Sequence, residues 1–399
     1  MSNKISVSGC AATAAPTGVA KAFAGLAALA VAMGIGRFAF TPVLPMMLQD
    51  GSLSIASGGL LASANYLGYL LGALSAMWIR VPPEKAIRAG LTAIGLTTVA
   101  MALPLPYAGW LLLRLAAGIA SAWVLISVSA WCMETLAKYR RPFLNSLVFA
   151  GVGTGIASAG LLCIALIQGG AAASHAWMTL GVVSVGVTAL IWRFFRRQTP
   201  VVPAQQAHGT PSGRYSWNAQ ALRLVACYGI FGFGYIIPAT FLPVMAKNAL
   251  QGSVAFGWSW PVFGLAAALS TLTVAALVAR IGNRRLWMIS HFIMAAGILL
   301  PVISSGIAAI FAAALCVGGT FMVITLAALQ EAKRVAGRDA TVLLAAMTSA
   351  FATGQIVGPL TVSAGTSGAG NFSVGLIIAA VLIAGSAFLL AMRDKPQQS

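Results

Sequence analysis

Twelve long apolar stretches, joined by mostly short polar connections, constrain this chain more than any other feature. They run over about 21–48, 57–79, 86–105, 107–133, 142–168, 175–195, 219–246, 255–279, 286–304, 307–330, 340–364 and 372–392. A helix needs roughly 20 residues to cross the hydrocarbon core of a bilayer. Barrel strands would be shorter and would alternate polar with apolar residues. The reading is therefore an all-α integral membrane protein with the lipid bilayer as its solvent. Composition agrees: 59% of the 399 residues are hydrophobic, 8% are charged, and mean hydropathy is +0.92.

A formal net charge of +18 would ordinarily raise nucleic acid as a partner. The distribution of the charge argues otherwise. With the N-terminus in the cytoplasm, all but three of the 24 Lys and Arg residues fall in connections on that side. The exceptions are Lys247, in an outer connection, and Arg37 and Arg114, inside apolar stretches. This is the positive-inside pattern. It places both termini in the cytoplasm and predicts a multi-pass protein of a bacterial inner membrane, with no nucleic acid partner.

The segment 196–218 (RRQTPVVPAQQAHGTPSGRYSWN) breaks the apolar pattern with prolines, glycines and charges, as a polar linker does. Six stretches precede it and six follow. The expected organisation is a tail over 1–20, a six-helix bundle over 21–195, the linker, a second bundle over 219–392 and a tail over 393–399. The halves repeat. Gly34-Ile-Gly-Arg37 with Leu44-Pro45 matches Gly232-Phe-Gly-Tyr235 with Leu242-Pro243 at an offset of 198 residues. Thr154-Gly155 matches Thr353-Gly354 at an offset of 199. Repeated six-helix halves are the mark of transporters whose site lies near the bilayer midplane between them.

Span number, linker and repeat resemble the major facilitator superfamily over essentially the whole chain. Arg114-Leu-Ala-Ala-Gly118 is similar to its fourth-helix motif, and Arg280-Ile-Gly282-Asn-Arg284-Arg285 to its basic loop between helices eight and nine. The corresponding first-half loop, Arg80-Val-Pro-Pro-Glu-Lys85, departs from the pattern. A narrower resemblance is to the YbfB/YjiJ-type branch. It rests on Gly34-Ile-Gly-Arg37-Phe-Ala-Phe-Thr41-Pro42-Val-Leu-Pro45, on Asn65-Tyr66-Leu-Gly68-Tyr69, and on Tyr235-Ile-Ile-Pro238-Ala-Thr240-Phe-Leu-Pro243. The resemblance implies two pseudo-symmetric six-helix bundles working by alternating access. It also implies a role for Arg114 in proton coupling or substrate contact.

Arg37 is the residue that asks most for an explanation. A charge at the centre of a membrane helix costs about 2.5–3.5 kcal/mol on insertion scales, so it usually faces a partner or a polar cavity. Helical spacing puts Thr41 on its face. The six acids, Asp50, Glu84, Glu134, Glu331, Asp339 and Asp394, all lie outside the middle of the stretches. Two interior arginines without interior acids favour an anionic or zwitterionic small organic solute over a cationic one. Arg37, Thr41, Asn65, Tyr69, Arg114, Tyr228, Tyr235 and Gln355 are the candidate substrate-binding or coupling residues. Pro42, Pro45, Pro238, Pro243 and Pro359 are candidate kink or gating positions, because each removes a backbone donor. Proton linkage and a monomer are expected.

Other readings are weaker. Cys10, Cys132, Cys163, Cys227 and Cys316 have no metal-ligand or redox spacing. No nucleotide loop or catalytic constellation occurs, so neither cofactor, metal nor enzymatic activity is expected. His175, His208 and His291 read as helix-end or linker residues. Trp110, Trp177, Trp192, Trp258, Trp260 and Trp287 read as interfacial anchors, and Glu134 as a solvated partner of Lys138 and Arg140. Two alternatives remain: a broad-range efflux exporter of amphipathic compounds, and a non-transporting membrane sensor or scaffold.

Overall fold

The computed structural model of the chain describes residues 17–79, 81–136, 139, 141–196, 217–249, 254–304, 306–337, 340–365 and 372–392. Most of the linker, most of the N-terminal tail, the C-terminal tail and Cys10 lie outside them, as do Lys138 and Arg140. The described residues contain helices and no strands. Thirteen α-helices follow one another: α1 Gly18–Leu29, α2 Phe40–Gln49, α3 Ile55–Trp78, α4 Pro83–Ala100, α5 Tyr107–Leu136, α6 Pro142–Gln168, α7 Ala173–Ile191, α8 Ala219–Ala249, α9 Ser259–Ile281, α10 Asn283–Ile303, α11 Ile307–Ala336, α12 Ala340–Gly365 and α13 Ser373–Ala391. The first begins at Gly18, earlier than residue 21, because the Thr17 side chain caps it by accepting from Ala20 N.

Among the described residues ten helical segments are long and apolar enough to cross a membrane, with Gly18–Gln49 taken as one. Helices α3 and α4 fall outside this set. For α4 composition explains it, since the helix opens on Pro83-Glu84-Lys85 with Arg88 one turn on.

The first span is interrupted. Helix α1 passes into a π-helical stretch, Ala30–Ile35, and the chain then turns through residues 36–39 before α2 starts. Gly36 N bonds Val31 O and Phe38 N bonds Met33 O, each reaching back five residues. Wider turns of this kind are frequent at functional sites. The break precedes the prolines. Pro42 falls in the first turn of α2, where the missing N–H costs no helical bond. In the second half, α8 continues through both Pro238 and Pro243. Proline positions alone therefore misplace the interruption.

Glycines explain the repeat. A Cβ on Gly34 would lie 2.4 Å from the Gly155 backbone, and one on Gly232 would lie 2.3 Å from Phe351 O. A Cβ on Gly354 would lie 2.4 Å from Gly229 O. The first span thus crosses α6 as α8 crosses α12, backbone against backbone, and only glycine permits it. The crossings at Gly34 and Gly232 sit about one turn from Arg37 and Tyr235, which occupy equivalent positions of the repeat.

Helices before the linker also pack against helices after it: α6 on α9, α3 on α12, and α2 on α8. Helices α2, α8 and α12 finish, and α3 begins, at one end of the molecule, called here the Lys247 end. Asp50 closes part of that end by accepting from Ala173 N at the start of α7, a favourable place for a carboxylate.

Candidate functional site

Arg37 sits in the loosened turn between the π segment and α2 and is 2% exposed. One guanidinium nitrogen, Nη2, donates to Gln355 Oε1 of α12. Gln355 in turn donates through Nε2 to Tyr235 Oη of α8. The guanidinium carbon stands 4.0 Å from the Tyr69 ring centroid and 5.4 Å from those of Tyr66 and Phe38. Such cation–ring contacts are worth about 2 kcal/mol when desolvated. Nε of Arg37 is buried with no partner among the described residues. Glu331 and Arg334 form an ion pair at 2.6 Å near the C-terminal end of α11.

Arg114 has different partners. Its Nη2 donates to Arg37 O at 3.0 Å and its Nη1 to Gly36 O at 3.4 Å. Asn65 Nδ2 donates to the same Gly36 carbonyl at 3.3 Å and to Arg114 O at 2.8 Å. Those carbonyls belong to the turn where the first span is interrupted. Arg114 and Asn65 thus satisfy acceptors that a continuous helix would have satisfied itself. Phe40 and Trp177 flank the Arg114 guanidinium at 5.1 and 5.9 Å.

Further bonds tie the segments before the linker to those after it. Thr41 Oγ1 donates to Ala239 O at 2.7 Å. Pro243 lacks the N–H that would have taken this carbonyl, so the proline supplies the acceptor. Tyr66 Oη and Thr240 Oγ1 share a hydrogen bond of 3.0 Å. Ser63 Oγ donates to Ile356 O at 3.0 Å. Lys247 Nζ donates to Pro45 O at 3.1 Å and to Gln49 Oε1 at 2.8 Å. These contacts run from the level of Arg37 to the Lys247 end.

Of the residues singled out from sequence, Arg37, Gln355, Tyr235 and Tyr69 come together in one cluster, with Thr41 beside it. Asn65 and Arg114 support the backbone that carries it. Tyr228 lies one ring further out, stacked on Phe351 with ring centroids 4.9 Å apart, and Phe351 in turn stacks on Tyr235. Pro359 lies in α12 one turn beyond Gln355, and its carbonyl accepts from Ser363 Oγ at 2.9 Å. Sequence reasoning missed Tyr66, Thr240, Ser63 and the aromatic residues Phe38, Phe321 and Phe351. Only Tyr66 and Thr240 carried a signal, as interior polar groups beside Asn65 and Ala239.

Three of the six tryptophans expected at the interface are core residues. Trp177, Trp260 and Trp287 are 1%, 0% and 0% exposed. His291 is also interior, not terminal. Its Nε2 accepts from Trp287 Nε1 at 2.8 Å, and its Nδ1 lies 2.8 Å from Ser386 Oγ. Indole is a donor only, so His291 Nε2 is held as an acceptor. Four described cysteines, Cys132, Cys163, Cys227 and Cys316, are free thiols.

Residues 29–391 match the family MFS_4, described as uncharacterised MFS-type transporter YbfB. This chain belongs to that family. The match spans the interrupted first helix, the Arg37 cluster and every described helix except most of α1. No match was found among the curated proteins. As an MFS_4 member the chain is a multi-pass membrane protein of the transporter class.

Proposed function

We propose that this protein is a secondary transporter that moves a small organic anion or zwitterion across a bacterial inner membrane by alternating access. Its twelve spans form two six-helix halves, with both termini cytoplasmic. It acts as a monomer and is proton-linked. The observation that carries the reading is Arg37: a buried guanidinium whose side-chain acceptor is a neutral amide, with no carboxylate beside it among the described residues. A charge kept in so apolar a place is repaid when an anion arrives. A cationic solute would meet repulsion there.

The distribution of basic residues favours the Lys247 end as the outer one. The bonds of Thr41, Tyr66, Ser63 and Lys247 then belong to a conformer closed to the outside, and rocking of the halves would exchange them for contacts nearer the linker.

The test is transport by the full chain reconstituted in liposomes. A set of labelled organic acids should yield at least one that accumulates under an imposed pH gradient. Arg37→Ala should abolish this while keeping native elution and melting behaviour. Undiminished transport in that variant would remove Arg37 from the site. The stacked rings of Tyr235, Phe321 and Phe351 favour a second reading, export of amphipathic compounds. In that case overexpression confers resistance to neutral or cationic drugs, and Arg37→Ala leaves the resistance intact.

A further inference from the structure

We infer that the solute is an aromatic monocarboxylate and that Gln355 keeps the place of its carboxylate in the empty site. The inference rests on the anion reading above and narrows it.

The Arg37 fork supplies the first argument. A carboxylate meets the Nε and Nη2 edge of a guanidinium with two parallel hydrogen bonds. Here Nη2 is taken by one carbonyl oxygen, that of Gln355, and Nε on the same edge is buried without a partner. One acceptor atom stands where a carboxylate brings two. Replacing the amide with a carboxylate fills the edge and turns a neutral acceptor into a charged one. Gln355 keeps its bond to Tyr235 as it withdraws.

The number of charges follows from Arg114. Its Nη1 and Nη2 donate to the carbonyls of Gly36 and Arg37, and its Nε, like that of Arg37, is buried without a partner among the described residues. Those acceptors are backbone and cannot withdraw as the Gln355 side chain can, so one fork can be vacated and one carboxylate is recognised.

The rings supply the last argument. Tyr69 covers the guanidinium face, with Tyr66 and Phe38 beside it. Past Gln355, Tyr235 lies nearly parallel to Phe321 (5.8 Å, 1°) and to Phe351 (5.7 Å, 11°). Phe38 meets Phe321 edge-on at 6.4 Å and 71°. The surroundings of the fork are flat ring faces and edges, which reward a planar ring by offset stacking and edge contacts more than a puckered aliphatic one. Trp260, whose ring lies 6.4 Å from that of Phe38, has a buried indole N–H with no partner among the described residues. Like Arg37 Nε it is a donor, so the unpartnered groups around Phe38 call for an acceptor.

The experiment uses the purified full chain in detergent. Binding of benzoate, cyclohexanecarboxylate, acetate, phthalate and benzylamine is measured by calorimetry and by thermal shift. Benzoate should bind about threefold to tenfold more tightly than cyclohexanecarboxylate. Acetate and phthalate should be weaker still, and benzylamine should not bind. Gln355→Leu should bind benzoate at least as tightly as the native chain, because the competitor has gone. Gln355→Glu, with its own carboxylate in the fork, should lose about tenfold or more. Equal binding of benzoate and cyclohexanecarboxylate overturns the aromatic assignment and leaves the anion reading standing. Weaker benzoate binding in Gln355→Leu overturns the place-keeping role, and decides the matter even if Gln355→Glu does not fold. Preference for benzylamine, or no binding by any acid, overturns the anion reading as well.

Discussion

Thr41 donates its hydroxyl to the carbonyl of Ala239 across 2.7 Å, and the two residues stand 198 positions apart in the chain. The same offset separates Gln49 from Lys247, which bond at 2.8 Å. It also separates Arg37 from Tyr235, which are joined through Gln355. Equivalent positions of a two-fold repeat touch one another only where they approach its axis. The repeat read along the sequence thus becomes a line of contacts in space, from the middle of the molecule to the Lys247 end.

Those contacts should govern which end is open. Thr41→Val with Lys247→Met removes three hydrogen bonds across the line and leaves the helix crossings intact. Each is worth about 0.5–1.5 kcal/mol, somewhat more for those of the ammonium. A cysteine introduced at Ser63 should then be alkylated several-fold faster from the Lys247 side than the same cysteine in an otherwise native chain. Equal rates would mean that these bonds do not hold that end shut.

Arg114 and Arg37 should separate cleanly when mutated. Arg114→Ala strips charged donors from two carbonyls in the interrupted span and should destabilise the fold by about 2–4 kcal/mol. The expected readout is a lower melting temperature and poorer yield. Arg37→Ala should leave melting nearly unchanged. Equal melting of the two variants would contradict the division of labour.

Arg37→Lys should not rescue function. An ammonium carries the same charge but lacks the planar fork and its stacking on Tyr69. The expected loss of solute affinity is about tenfold or more, measured as a rise in KM with folding preserved. Native-like affinity in the lysine variant would show that charge alone is recognised.

The glycine crossings should tolerate nothing larger. A methyl on Gly34 meets the Gly155 backbone at 2.4 Å, and backbone cannot rotate out of the way as a side chain can. Gly34→Ala should cost about 1–3 kcal/mol. Gly186→Ala, whose added Cβ meets nothing within 4 Å, should be neutral and serves as the control. Comparable melting of both variants would exclude the close crossing.

Much of this was legible in the sequence, and the reasons are physical. An apolar run of bilayer length has few structural options, so the helices could be read from hydropathy. Arg37, Gln355 and Tyr235 stood out singly because polar groups are rare in such runs. Their connection did not, since Arg37 and Gln355 are 318 residues apart and no local pattern encodes that distance. The hydrogen bonds of Arg114 could not be read from sequence, because the carbonyls it meets follow a π stretch that no proline or glycine rule announces. Trp177, Trp260 and Trp287 were placed at the interface by residue type, but type says nothing of which way an indole faces on its helix. Tyr66 and Thr240 gain their meaning from one another, across 174 positions.

The bond between Arg114 and the backbone of Arg37 has a kinetic consequence. Two cations share one small apolar region, and no described carboxylate offsets them. An unloaded site of this kind is electrostatically the poorer one, because moving it through the occluded state keeps both charges dehydrated with nothing to balance them. A loaded site crosses as a more nearly neutral unit. Turnover should therefore be faster when solute rides in both directions, so that exchange outpaces net flux. Preloading liposomes with unlabelled solute should accelerate uptake of the labelled form several-fold, and an absence of such trans-stimulation would show that the empty carrier returns as readily as the full one.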